Sequence, residues 1–288
     1  MGGQITREDN VYSEKAPLDY LMEKAKNVRM LTLQELYHSQ SGHPGSSLSA
    51  ADLVVDLLFD EMNWKQESNF LNKDRFILSK GHAVPVYYAA LAEGNLIPKE
   101  ELMTLRKMDS RLQGHPWRTA LPEYVSTTTG SLAQGLSVGL GMAKYFRQHK
   151  KDNRVYVLMG DGELQEGQIW EATMAGGNYG YNNIVGIVDR NGMQNDGPVE
   201  STMPLEPLDK KFEAFGWNTL KIDGHDFSQI RDAFKKTREV VERPTMIIAK
   251  TDKGRLGPNK IFMHGVHAPK SISETDYVDA INYLKGLK

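Results

Sequence analysis

Val155-Tyr156-Val157-Leu158-Met159-Gly160-Asp161-Gly162-Glu163 is the stretch on which the reading of this chain turns. Its five leading residues form an apolar run too short for a helix and suited to a strand buried on both faces. Gly160-Asp161-Gly162 stops the run, and residues 166–175 continue with helical character. The next apolar run, 184–188, closes in the same way on Asp189-Arg190-Asn191-Gly192. Further out, 75–79, 218–222 and 245–249 read as strands, and 84–92, 132–147 and 227–241 as helices. Pro17 opens a helix with Leu18, Leu21, Met22, Ala25, Val28, Leu31 and Leu36 at helical spacing. It stops at Ser39-Gln40-Ser41-Gly42-His43-Pro44-Gly45, where Gly and Pro forbid continuation. A second helix is expected over 49–59, capped by Ser49. A last one lies within 271–288, with Tyr277, Ala280, Ile281 and Leu284 on one face.

Strands alternating with helices of ten or more residues predict an α/β fold, a parallel sheet with helices on both faces. The expected organisation is a floppy arm over 1–16, one α/β domain over 17–270 and a helical tail over 271–288. Ligands of such sheets bind beyond the carboxyl ends of the strands. The functional loops should therefore follow Met159, Val188 and Ala249.

Composition narrows the function classes. The 288 residues carry 35 Lys plus Arg against 37 Asp plus Glu, a net charge of −2 that argues against coating nucleic acid or an anionic membrane. The absence of Cys excludes disulfides, thiolate metal sites and a cysteine nucleophile. No apolar run nears the ~18 residues of a transmembrane helix. The start, MGGQITREDN, is too polar for a signal peptide and fits only the short, unspecific N-myristoylation pattern. A cytoplasmic setting is expected.

Two loops carry the chemistry. The glycines of Gly160-Asp161-Gly162 let backbone approach a ligand closely, and the helix start behind them suits a phosphate. Asp161 offers the hard oxygen that Mg2+ or Ca2+ prefers. In a parallel neighbour the loop after 184–188 lies alongside, so Asn191 brings an amide oxygen and Met193 a carbonyl to the same cation. Gly-Asp-Gly alone is a common turn; the pair of loops on neighbouring strands is what points to a ligand. Gly130-Ser131-Leu132-Ala133-Gln134-Gly135-Leu136-Ser137 nearly spells a P-loop, but Leu136 stands where its Lys belongs. Three of the eight histidines, His43, His82 and His115, lie beside Gly in loops, two of them before Pro, where a side chain can face a cleft. His38, His149 and His225 read as surface or capping groups.

Gly160-Asp161-Gly162, followed thirty positions later by Asn191, resembles the thiamine diphosphate signature. The wider text resembles the diphosphate-binding half of the transketolases. Six segments carry it in family order: Ser41-Gly42-His43-Pro44, Ser79-Lys80-Gly81-His82-Ala83, Gly114-His115-Pro116, Thr129 to Gly135, Gly160 to Gly167 and Ala249 to Gly254. The resemblance implies thiamine diphosphate with Mg2+ or Ca2+, and transfer of a two-carbon ketol unit between sugars or sugar phosphates. It implies that His82, Ser46, Gly130, Ser131, Leu132, Asp161, Gly162, Asn191 and Lys253 line the cofactor. It further implies that His43 and His115 bond substrate hydroxyls. His264 is favoured as the fourth site histidine, with His267 in reserve. In the family a glutamate from a second, pyrimidine-binding domain activates the cofactor, and nothing up to Lys288 reads as that domain. The expectation is the N-terminal subunit of a split transketolase, a dimer of heterodimers with a C-terminal subunit. Glu166 matches the residue that reaches across the contact, with a dipole-stabilised first-turn glutamate as the equal alternative. Competing readings are an α chain of a 2-oxoacid dehydrogenase and a non-catalytic regulatory subunit.

Overall fold

The computed structural model describes residues 15–63, 73–263 and 271–287. Its elements are α1 (Leu18–Ser39), α2 (Pro44–Ser49), α3 (Ala51–Asp56), β1 (Arg75–Leu78), α4 (Val84–Glu93), α5 (Gln134–Gln148), β2 (Val155–Gly160), α6 (Gly167–Tyr179) and β3 (Ile184–Arg190). There follow β4 (Met193–Gln194), β5 (Gly197–Pro198), α7 (Val199–Thr202), α8 (Leu208–Ala214), β6 (Asn218–Asp223), α9 (Phe227–Glu239), β7 (Thr245–Lys250), β8 (Arg255–Gly257), β9 (Lys260–Ile261) and α10 (Glu274–Gly286).

The five long strands form one parallel sheet in the order β1-β2-β3-β7-β6. Alternation along each strand divides the core in two. Tyr156 and Leu158 of β2 join Phe76, Ile187 and Ile247 under α1, α3, α4, α9 and α10. Val155, Val157 and Met159 face the other way, with Val188 and Ile248, against α5, α6 and α8. Helices thus cover both faces, and the central strands β2, β3 and β7 are buried and largely apolar, whereas the edge strand β6 is partly exposed and carries Asn218, Lys221 and Asp223. The register Leu78↔Leu158, Gly160↔Asp189 and Asp189↔Ala249 brings the carboxyl ends of β1, β2, β3 and β7 to one edge. The loops after Met159, Val188 and Ala249 therefore adjoin.

The helix expected over 49–59 is present from Ala51, but its start and its cap differ. Pro44 sits at the first position of α2, where its fixed φ suits a helix start, so helical structure begins earlier. Ser49 is the last residue of α2 rather than a cap, and its hydroxyl donates to Asp189. The chain then runs through α3 into a π-helical turn, Leu57–Glu61. The helix expected from 132 starts at Gln134, because Ala133 takes a left-handed conformation at φ 73°. That helix lies tight on the sheet: a Cβ at Gly135 would fall 2.4 Å from Ser79 Oγ. At the N-terminal side Ala16 N–H donates to Asp60 at 2.7 Å and Lys15 pairs with Asp60 and Glu61, so these last two residues of the expected arm are anchored. Helix α10 is capped by Ser273 and buries Ala280 and Leu284 against the first core. No helix among the described residues is long and apolar enough to cross a membrane.

Candidate functional site

Asp161 leaves β2 into a 3-10 turn, and its carboxylate is almost wholly buried. Oδ1 accepts from Gly162 N at 2.8 Å, while Oδ2 accepts from Gly192 N at 2.6 Å and from Arg190 at 3.0 Å. Burial and the neighbouring Asp189 push its carboxyl above the usual range, against the Gly192 and Arg190 bonds. Asn191 folds its amide oxygen back on Met193 N at 3.1 Å, and the Met193 carbonyl accepts from Lys253 Nζ at 3.5 Å. The loops of Asp161 and of Asn191 to Met193 are thus hydrogen-bonded to one another, with Lys253 beside them. Burial, then the Lys80 charge, brings the Lys253 ammonium down to about 8.

A hard cation suits this donor set. One carboxylate, one amide oxygen and one carbonyl are all oxygens, each retains a lone pair, and the electrostatic bias on Asp161 favours a positive charge nearby. No group of three or more His, Asp or Glu that could hold a metal occurs among the described residues. A cation here would depend on oxygens from a ligand as well, as a bound diphosphate supplies.

The 79–83 segment reaches the same edge from β1. His82 Nε2 lies 3.1 Å from Ser46 Oγ, and the His82 ring meets the His43 ring edge-on at 5.0 Å. Gly254 N donates to Gly45 O at 2.9 Å, tying the Lys253 loop to the start of α2. On the other side, Gly130 takes a φ of +150° with the His115 ring against it; a Cβ there would lie 3.3 Å from His115 Cγ. The Tyr88 hydroxyl donates to His115 O at 3.3 Å. Burial and then Arg106 hold the His115 imidazole below its ordinary range, keeping it neutral. Ser131 is exposed and Leu132 half-buried in the turn before α5. Ser46, His43 and His82 are thus gathered on one side of the strand ends. His115 and Gly130 to Leu132 lie beside Gly81, whose added Cβ would meet Thr129 and Gly130 at 2.8–3.2 Å. Glu166 is exposed at the start of α6 and caps nothing with its side chain. His264 and His267 lie outside the described residues.

Sequence reasoning missed the polar floor of the site. Lys80, 1 % exposed, donates to Asp189, itself fully buried, and to Ser46 O at 3.0 Å. Asp189 also accepts from the Ser49 and Thr251 hydroxyls. Burial opposes its charge, but Lys80 and these donors hold its carboxyl below the usual range. Glu163 is a second knot. It accepts from Ser79 Oγ, from Ala133 N at 2.8 Å and from Gly160 N at 3.0 Å, joining three of the loops. Burial raises its carboxyl despite those bonds. The available signal was a Lys and an Asp each ending an apolar strand in adjoining motifs. His225, grouped with surface histidines by its sequence, has a side chain only 7 % exposed, wedged between Asp52 and Asp252 N.

Residues 22–282 match the family described as "Transketolase, thiamine diphosphate binding domain". The chain is 40% identical over 268 residues to a transketolase of Pongo abelii, covering 91% of this chain and 42% of that one. It is 38% identical over 235 residues to one subunit of the apulose-4-phosphate transketolase of Phocaeicola vulgatus, covering 81% of this chain and 83% of the relative. The crystal structure of a Campylobacter jejuni transketolase superposes with a TM-score of 0.86 at 29% identity, covering 94% of this chain and 43% of that one. A Pichia stipitis transketolase solved with xylulose-5-phosphate gives a TM-score of 0.84 at 26% identity, covering 93% and 41%. The chain spans less than half the length of these full transketolases.

Proposed function

The chain belongs to the transketolase family, in its thiamine diphosphate-binding domain, and from that premise we propose that it is the N-terminal subunit of a cytoplasmic split transketolase. With a separate pyrimidine-binding subunit it would move a two-carbon ketol unit from a ketose phosphate to an aldose phosphate, as a dimer of heterodimers. The observation that carries this is its coverage of 83% of a relative that is by name one subunit of a transketolase and, by the same name, acts on a sugar phosphate.

Thiamine diphosphate, when bound, supplies the electron sink that stabilises charge on an acyl carbon, which no side chain can do. This chain's residues bind and orient. Asp161, the Asn191 amide and the Met193 carbonyl would hold Mg2+, or Ca2+, against the diphosphate. Gly162 gives the backbone room for close approach; a Cβ there would lie 2.9 Å from Gln194 Cβ. Ser46, His82, Lys253 and the Gly130-Ser131-Leu132 turn would contact the diphosphate and its surroundings. His43 and neutral His115 would exchange hydrogen bonds with sugar hydroxyls, work suited to an imidazole near neutral pH. His264, with His267 in reserve, completes the set, and Glu166 would meet the partner subunit.

Mixing the purified chains tests the reading. The lone chain should give no ketol transfer from xylulose 5-phosphate to an aldose phosphate and should gain it on adding the pyrimidine-binding subunit. Full turnover by the lone chain would refute the split site.

A further inference from the structure

Behind the strand ends, α1, α3 and the turn before α9 meet in a buried ionic network. Asp52 on α3 takes both terminal nitrogens of Arg29 on α1, at 2.8 and 2.6 Å, and His225 Nδ1 at 2.7 Å. Arg29 and Asp52 are each 5% exposed. Burial works to raise the Asp52 carboxyl, but Arg29 and His225 outweigh it and hold Asp52 charged. The network grips the loop after β7 at two points. Asp252 N–H donates to His225 Nε2 at 2.9 Å, and Arg29 Nε donates to Arg255 O at 2.9 Å. Because Nε2 accepts, the proton of a neutral His225 sits on Nδ1 and points at Asp52. Lys253 lies between the two grips. Gly254 beside it takes a φ of +83°, where a Cβ would strike Phe262 O at 2.4 Å.

We propose that Arg29, Asp52 and His225 are positioning residues for the cofactor diphosphate: they fix the backbone from Asp252 to Arg255 and so aim the Lys253 ammonium. The inference rests on the thiamine diphosphate reading above. The three residues act through the loop. They line a cavity of about 670 Å3 with Leu18, Met22 and Leu256, and none of the candidate cofactor residues lines it. Holding the loop in advance removes the cost of ordering it from the binding step.

Two isosteric variants separate aiming from packing. His225→Asn keeps a polar group at the Nδ1 position and loses the acceptor at Nε2; His225→Gln can return a carbonyl oxygen to the Nε2 position. Thiamine diphosphate affinity is measured by calorimetry with Mg2+, with the partner subunit present, and amide exchange at 251–255 in the cofactor-free chain. His225→Asn should bind about tenfold more weakly, the worth of one hydrogen bond, and exchange the Asp252 amide about tenfold faster. His225→Gln should stay within about threefold of the native protein on both measures. Equal weakening by the two variants, or native affinity in His225→Asn, overturns the proposal. Absence of saturable binding in the native protein overturns the cofactor reading itself, whereas unchanged Asp252 exchange in His225→Asn overturns the clamp alone.

Discussion

Replacing Lys80 by Met removes the cation from a carboxylate that has no route to water. Lys80 is 1 % and Asp189 0 % exposed, so solvent cannot substitute for the lost ammonium. Breaking a buried pair from one side costs about 3–5 kcal/mol. Asp189 keeps the Ser49 and Thr251 hydroxyls, which places the expected loss near 3 kcal/mol, the lower end. Such a loss lowers the melting temperature by roughly 6–12 °C in a domain of this class. Its pH dependence is diagnostic. In the native chain the Asp189 carboxyl lies below its usual range, so its stabilisation is present above the unfolded value near ~4 and is lost as pH falls through the folded one. Without Lys80, burial dominates and the folded value rises. The folded variant then binds the extra proton, and its stability falls as pH rises from about 4 toward that raised value. Urea unfolding at pH 5 and pH 8 should therefore show a larger penalty at pH 8. Adding Asp189→Asn should recover most of the loss, since no charge remains to be buried. A penalty under about 1 kcal/mol at pH 8, or one independent of pH, would refute the reasoning.

Asp161→Ala should weaken Mg2+-dependent thiamine diphosphate binding by about two orders of magnitude or more, read by calorimetry; unchanged affinity removes the metal assignment. Gly135→Ala should cost about 1–3 kcal/mol, because its Cβ would meet Ser79 at 2.4–2.5 Å on a buried strand end. On the same helix the new Cβ of Gly141→Ala meets nothing within 4 Å beyond its own helix backbone, and the change should stabilise by about 0.5–1 kcal/mol in urea unfolding. The His115 imidazole should titrate by NMR below the usual histidine midpoint. The unfolded chain then takes up that proton more readily, so stability falls as pH drops below ~6.5. A midpoint above ~6.5 would contradict the half-buried, Arg106-flanked setting.

Much of the architecture could be read locally. The lengths of the apolar runs at 155–159, 184–188 and 245–249, and the Gly or charged residues that stop them, are properties of neighbouring residues, and these became β2, β3 and β7 to within two residues. Asp161 and Asn191 were legible because each ends such a run, and parallel pairing aligns their loops. Ser49 was misjudged by the same local logic. A serine before an apolar helix has the form of a cap, but Pro44 had already started α2 and the hydroxyl was claimed by Asp189, 140 residues further on.

What the chain specified by itself was therefore the set of strands, helices and stops, since periodicity and turn chemistry act over a few residues. The order β1-β2-β3-β7-β6 belongs to the tertiary structure alone, and that order chose the charge partners. Lys80 meets Asp189, and Asp52 meets both Arg29 and His225, at points brought together from distant parts of the chain, where packing excludes water and a buried charge needs a partner.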